Sequence, residues 1–151
     1  MKSGVIIALS LLFTFAACVD ETDRSTIPFA PVNFTVDLLG YDHILNNALS
    51  YKVFTEKDRR VDSDRFGFAG LLVVADATGN TLFAYDLCCP YEDSKSIKVL
   101  PGDEGKVKCP SCGSVFATMY GQGNVVSGPA SQSLQRYRVI PLHPGVYRLS
   151  N

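Results

Sequence analysis

Apolar and polar residues alternate along this chain in short stretches, and strand spacing dominates over helical spacing. Phe34-Thr35-Val36-Asp37-Leu38 alternates with period two and predicts a half-buried strand. Gly70-Leu71-Leu72-Val73-Val74-Ala75 is a continuous apolar run, as expected of a strand covered on both faces. Leu82-Phe83-Ala84-Tyr85 follows it across the turn residues Asp76-Ala77-Thr78-Gly79-Asn80. Tyr137-Arg138-Val139-Ile140 is positioned to pair with Val146-Tyr147-Arg148-Leu149 across Pro141 to Gly145. The prediction is an all-β domain built from hairpins. Only Asp42 to Ala48 reads as helical, for one or two turns under an irregular loop. Glu56 to Arg65 mixes charges of both signs residue by residue and predicts a solvated loop with no functional role.

The amino terminus follows a different pattern. Lys2 precedes the apolar run Val5 to Phe13, and Phe15-Ala16-Ala17 leads directly into Cys18. The run falls short of the roughly 20 residues a membrane-spanning helix requires, so it reads as an export leader. Small residues before a cysteine resemble the lipobox of bacterial lipoproteins, with Phe15 where an aliphatic residue is usual. The resemblance implies a leader over 1–17, lipid on the Cys18 thiol, and a membrane-tethered mature chain. A plain secretory leader is the alternative. The acidic stretch Val19-Asp20-Glu21-Thr22-Asp23 resembles tracts of surface-exported lipoproteins and reads equally as a solvated tether over 18–28. The expected location is an outer membrane, with the domain facing the periplasm or the cell exterior.

Composition narrows the function classes. The 151 residues carry 14 Lys+Arg against 15 Asp+Glu, a formal net charge of −1. That balance provides no basic field for a polyphosphate backbone, so nucleic acid is not an expected partner. Residues 29–151 suffice for one domain. No Gly-x-Ser-x-Gly elbow occurs, and Gly121-Gln122-Gly123-Asn124 reads as a turn because it lacks the third glycine of a dinucleotide loop. A self-contained enzyme is not expected.

The candidate chemistry lies in the cysteines. Beyond Cys18 they form two groups, Leu87-Cys88-Cys89-Pro90-Tyr91 and Lys108-Cys109-Pro110-Ser111-Cys112-Gly113-Ser114, each following a strand-like segment. Two such loops on a β scaffold can bring four thiols together around a metal. Phe83 to Tyr91, then Cys109 to Phe116, and finally Gly128-Pro129-Ala130 with Leu134 and Tyr137, resemble in order the loops of a Rieske iron–sulfur domain. The resemblance implies a Rieske-like antiparallel β-sandwich or barrel with a small cluster-binding subdomain over about residues 83–130. It places Cys89 and Cys109 at the two cysteine ligand positions, Gly128 and Pro129 in a covering loop, and Ser114 at a hydroxyl position that tunes the centre. Tyr120 is a weaker candidate for the same tuning. At the two histidine ligand positions this chain has Tyr91 and Cys112. Its only histidines, His43 and His143, lie elsewhere and read as surface or turn residues.

Several chemistries fit that altered set. A [2Fe-2S] cluster on Cys89, Cys109 and Cys112, with Cys88 or the Tyr91 phenolate as fourth ligand, would serve electron transfer or redox sensing with a partner protein. Adjacent Cys88 and Cys89 cannot both turn inward without unusual backbone geometry. Zinc is an alternative, since Cys109-Pro110-Ser111-Cys112-Gly113 has the spacing of one knuckle. In an oxidising compartment the two loops can instead close a disulfide, leaving a binding or structural scaffold without metal. A thioredoxin-type Cys109/Cys112 pair is disfavoured because Gly113-Ser114-Val115-Phe116 predicts a strand where that chemistry uses a helix N-terminus.

Overall fold

In the computed structural model residues 27–151 are described; the leader, Cys18 and all but the end of the 18–28 tether lie outside them. Eleven strands follow in order, starting with β1 (Val32–Asp37), a 3-10 turn (His43–Asn46), β2 (Tyr51–Phe54), a second 3-10 turn (Glu56–Asp58) and β3 (Arg65–Phe66). Then come β4 (Leu71–Ala75), β5 (Leu82–Asp86), β6 (Leu100–Pro101), β7 (Lys106–Lys108) and β8 (Val115–Ala117). The series closes with β9 (Asn124–Ser127), β10 (Arg136–His143) and β11 (Val146–Ser150). The fold is all-β, and all its named pairings are antiparallel. Seven strands form one sheet in the order β2-β4-β5-β10-β11-β1-β3, and β6-β7-β8-β9 form a second, smaller sheet. Among the described residues no helix is long and apolar enough to cross a membrane.

The large sheet is curled. Strands β2 and β3 are its opposite edges, yet Phe34 on β1 packs on Phe54 of β2 at 4.7 Å between ring centroids and on Phe66 of β3 at 5.1 Å. One aromatic residue can reach both edges only if the sheet bends back on itself, as barrels do to bury a single inner face. Val36, Leu71, Val73, Ala84 and Leu149 join the same interior. Strand β4 is buried along its whole length because its residues alternate between two cores. Leu71, Val73 and Ala75 face the barrel interior, while Leu72 and Val74 face a second core shared with Val107, Phe116, Cys89 and Cys109. The continuous apolar run is therefore a strand sandwiched between barrel and small sheet, each large side chain contributing about 1.5–3 kcal/mol of burial.

The predicted helical stretch is the first 3-10 turn, and the predicted β4–β5 and β10–β11 hairpins are present. The charged run over 56–65 requires a correction, because it is not simply a solvated loop. Asp64 is buried, and its carboxylate accepts the Arg60 and Val61 N–H groups at 2.8 and 3.0 Å. Arg60 reaches back over the barrel end to the fully buried Asp42 at 2.8 Å and lies 4.9 Å from the Phe34 ring. Lys52 at 2.8 Å and the Asp37 N–H at 2.8 Å complete the Asp42 shell. Alternating charges look the same in sequence whether they face water or a buried partner; the partner, Asp42, is 18 residues away.

Burial alone would raise the Asp42 pKa, but its hydrogen bonds to Arg60, Lys52 and the Asp37 N–H outweigh that, so the carboxyl sits below its ordinary value of 3.8. A depressed carboxyl pKa stabilises the fold above the unfolded-state value and loses that contribution as pH falls through the folded-state value. Asp42→Ala is expected to cost about 3 kcal/mol in urea denaturation at pH 7, the scale for breaking a buried ion pair. The gap between wild type and variant should narrow as pH falls below 3.8; a gap independent of pH would contradict the ion-pair account.

Candidate metal centre

Both cysteine loops begin where strands end. Asp86, the last residue of β5, is fully buried and accepts the Cys88 N–H at 2.8 Å, the Phe68 N–H at 2.7 Å, the Ala69 N–H at 3.1 Å and the Tyr137 hydroxyl at 2.7 Å. Four donors on one carboxylate replace the water that burial removes. The first loop then closes through Val99 N–H to Leu87 O at 2.8 Å and Asp93 N–H to Cys89 O at 3.0 Å. The second loop joins β7 to β8, with Cys109 N–H bonded to Ser114 O at 2.8 Å and Gly113 N–H to Cys109 O at 3.0 Å. Gly113 has φ +78°, a conformation that disfavours any side chain.

These loops bring Cys89, Cys109 and Cys112 together, their Sγ atoms all within 4.8 Å of one another. Cys89 and Cys112 are 3.7 Å apart. Cys89 and Cys109 are buried, and Cys112 is half-exposed at the rim. Cys88 does not join them: its thiol donates towards Cys89 O and Ser94 O, each at 3.5 Å, on a buried path away from the group. Cys88, bridged to Lys98, and Cys89 at the start of the loop thus send their thiols to different partners. The Tyr91 ring is 56% exposed. Among the described residues no histidine joins the three sulfurs.

The covering loop touches the second cysteine loop directly. Ser114 is fully buried, and its Oγ accepts the Ala130 N–H at 3.0 Å and the Cys112 thiol at 3.1 Å. Gly128, at φ +99°, lies so close that a β-carbon there would stand 2.4 Å from Ser114 Cα. Pro129 is exposed at the loop's tip. Tyr120, 70% exposed, makes no described contact with a sulfur. Sequence reasoning did not single out Asp86, although an acidic residue two positions before a cysteine pair at a strand end is a readable signal.

The sulfurs differ electrostatically. Burial, reinforced by the Cys109 and Cys112 sulfurs, pushes the Cys89 thiol up to about 12 against backbone hydrogen bonds from Tyr91 and Glu92. Burial and the Asp86 charge push Cys88 up to about 11. Burial opposes ionisation of Cys112 too, but the Ser114 hydroxyl and backbone, with Cys109 and Cys89, bring its pKa below the ordinary thiol value of 9.0. Once Cys112 ionises, the Ser114 proton can turn to it while Ser114 Oγ keeps the Ala130 N–H. Three convergent sulfurs, among them Cys112 with its lowered pKa and Cys89, whose ionisation burial opposes unless a cation is near, are a donor set for a soft metal or an iron–sulfur centre.

No family model matches the chain, and no curated protein matches it. Among solved structures, a chain from a complex of reduced oxygenase and oxidized ferredoxin in carbazole 1,9a-dioxygenase aligns with a TM-score of 0.49 and 16% identity, over 79% of this chain and 93% of that one.

In metal-free reduced protein, iodoacetamide is expected to label Cys112 first and Cys88 and Cys89 last, as peptide mapping would show. Ser114→Ala should slow Cys112 labelling at neutral pH and move its onset to higher pH. It should also cost about 1–3 kcal/mol through the unpaired Ala130 N–H. Unchanged labelling in that variant would exclude the hydroxyl as the group that lowers the Cys112 pKa.

Proposed function

We propose that this protein is an electron-transfer or redox-sensing protein that carries an iron–sulfur centre, of the [2Fe-2S] type, on a Rieske-like scaffold. The observation that carries this reading is the convergence of Cys89, Cys109 and Cys112 from two loops beneath a third loop pinned through Ser114. The donor set fits: soft thiolates suit iron–sulfur binding. Tyr91, exposed beside Cys89, is positioned in sequence to supply the fourth ligand, whereas Cys88 is turned away. When bound, the centre supplies one-electron chemistry. The chain's own contributions are a dry, apolar seat from Leu87, Val107 and Phe116, hydrogen bonds to Cys89 and Cys112, and an exposed rim at Cys112 that a redox partner protein can approach. Without the two histidine ligands, the potential should lie below the roughly −150 to +300 mV of Rieske centres.

A second reading is favoured by the 3.7 Å between Cys89 and Cys112. A tetrahedron drawn with Zn–S bonds of about 2.3 Å has edges of about 3.8 Å, so the pair fits a single zinc ion. The same proximity suits a disulfide in an oxidising compartment. Either makes the domain a non-redox binding or structural module. In both readings the domain is tethered to a membrane by lipid on Cys18, on the periplasmic or outer side.

Anaerobic purification from iron-replete cells should give coloured protein with about two iron and two sulfide per chain. Cys89→Ser and Cys109→Ser should lose the colour, and Cys88→Ser should keep it. Colourless protein with one zinc, or with Cys89 and Cys112 joined, would replace the first reading by the second.

Cells fed labelled palmitate should incorporate label into the full chain and none into Cys18→Ala, which should leave the membrane fraction. Equal labelling of both would remove the lipid anchor from the proposal.

A further inference from the structure

The outer wall of the first cysteine loop borders a second feature. Between that wall, the second 3-10 turn and the chain entering β4 lies a cavity of about 330 Å³, within the range that holds small organic ligands. Phe66, Phe68 and Gly70 line it, together with Lys57, Lys95 and Lys98. We infer that this cavity binds an organic carboxylate, a monoanion with an apolar body.

The charges define the ligand's sign. Lys57 comes from the 3-10 turn, and Lys95 and Lys98 from the loop that carries Cys89. Among the described residues, the ammonium groups of these three lysines form no ion pair or hydrogen bond, in contrast to Lys52 and Lys106. Glu56 is the acidic residue lining the cavity, and its carboxylate is engaged by Arg59. Three like charges on residues lining one cavity repel one another, and a neutral ligand leaves that repulsion unrelieved. An anion relieves it.

The floor defines the ligand's body. Phe68 offers apolar surface, with the buried Phe66 behind it, and the Phe68 and Ala69 N–H groups are already taken by Asp86. Those two backbone donors are therefore not open to a phosphate, and the three lysines supply separate, flexible ammonium groups rather than a planar fork. A carboxylate on an aromatic or aliphatic body satisfies the lysines and covers the floor together. This site is independent of the cysteine centre: it shares the loop but none of the three sulfurs.

The test uses the full chain and two-dimensional amide NMR, with benzoate as probe and benzamide and inorganic phosphate as comparisons. Benzoate should shift the Phe68, Gly70 and Lys98 amides saturably. Benzamide and phosphate should each bind at least about tenfold more weakly, the scale of one charged hydrogen bond or one buried ring. The double variant Lys95→Gln, Lys98→Gln should lose benzoate affinity by a similar factor while its remaining amide spectrum is unchanged. Benzamide binding equal to benzoate, phosphate producing the same shifts at equal affinity, or no saturation would each overturn the inference. Because the readout does not involve metal, colourless protein that still binds benzoate would sink the iron–sulfur reading and leave this one standing.

Discussion

Asp86 is a carboxylate with no accessible surface and, among the described residues, no ion-pair partner, held by four hydrogen-bond donors drawn from three parts of the chain. Burying such a group is costly unless every lone pair is occupied, so its shell must form as a unit. That shell joins the segment entering β4, the first cysteine loop and β10. Gly67 shows how tightly it is drawn: a β-carbon there would stand 2.5 Å from the Tyr137 hydroxyl oxygen and 2.7 Å from the Asp86 carboxylate. By fixing the Cys88 N–H, Asp86 sets the direction in which the next residue leaves the strand. Cys89 then points to the small sheet and Cys88 to Ser94. The three-sulfur group is in this sense a consequence of where one negative charge is buried.

The same constraint explains why four nearby cysteines behave as three plus one. Cys88 and Cys89 are both deeply buried and both resist ionisation, but only Cys89 faces sulfurs that a shared cation could stabilise. Cys112 lies at the other extreme, half-exposed and supported by Ser114, which itself holds the covering loop through Ala130. A single hydroxyl therefore couples the readiest thiolate of the site to the loop above it. Cys112 thus adds a third sulfur to the pair formed by Cys89 and Cys109.

How much of this was legible in sequence depends on the range over which each signal acts. The β4 run, the β4–β5 hairpin and the β10–β11 hairpin carry their patterns within a few residues and were readable. Strands β3, β6 and β7 are two or three residues long and acquire strand character only from neighbours, so local periodicity could not show them. That Phe34 touches both edges of the large sheet depends on its closure, which no window contains. For the candidate site, the loop positions of the cysteines and of Gly128 to Ala130 were legible, while the choice between Cys88 and Cys89 was not, because it is made by Asp86 with residues up to 51 positions away. The run over 56–65 is exposed at most positions, as its mixed charges suggested, but the roles of Arg60 and Asp64 were not legible: Arg60 finds Asp42, and Asp64 finds backbone N–H groups, only in the folded chain.

The first cysteine loop consequently has two chemically opposite sides. Its inner side presents a sulfur to an apolar core, where negative charge is stable only beside a cation. Its outer side carries Lys95 and Lys98, which line a cavity and form no ion pair among the described residues. The backbone between them is short and pinned at both ends, by Asp86 at Cys88 and by the Val99–Leu87 bond. The loop is accordingly better described as a partition between two binding environments than as a surface excursion that happens to carry cysteines.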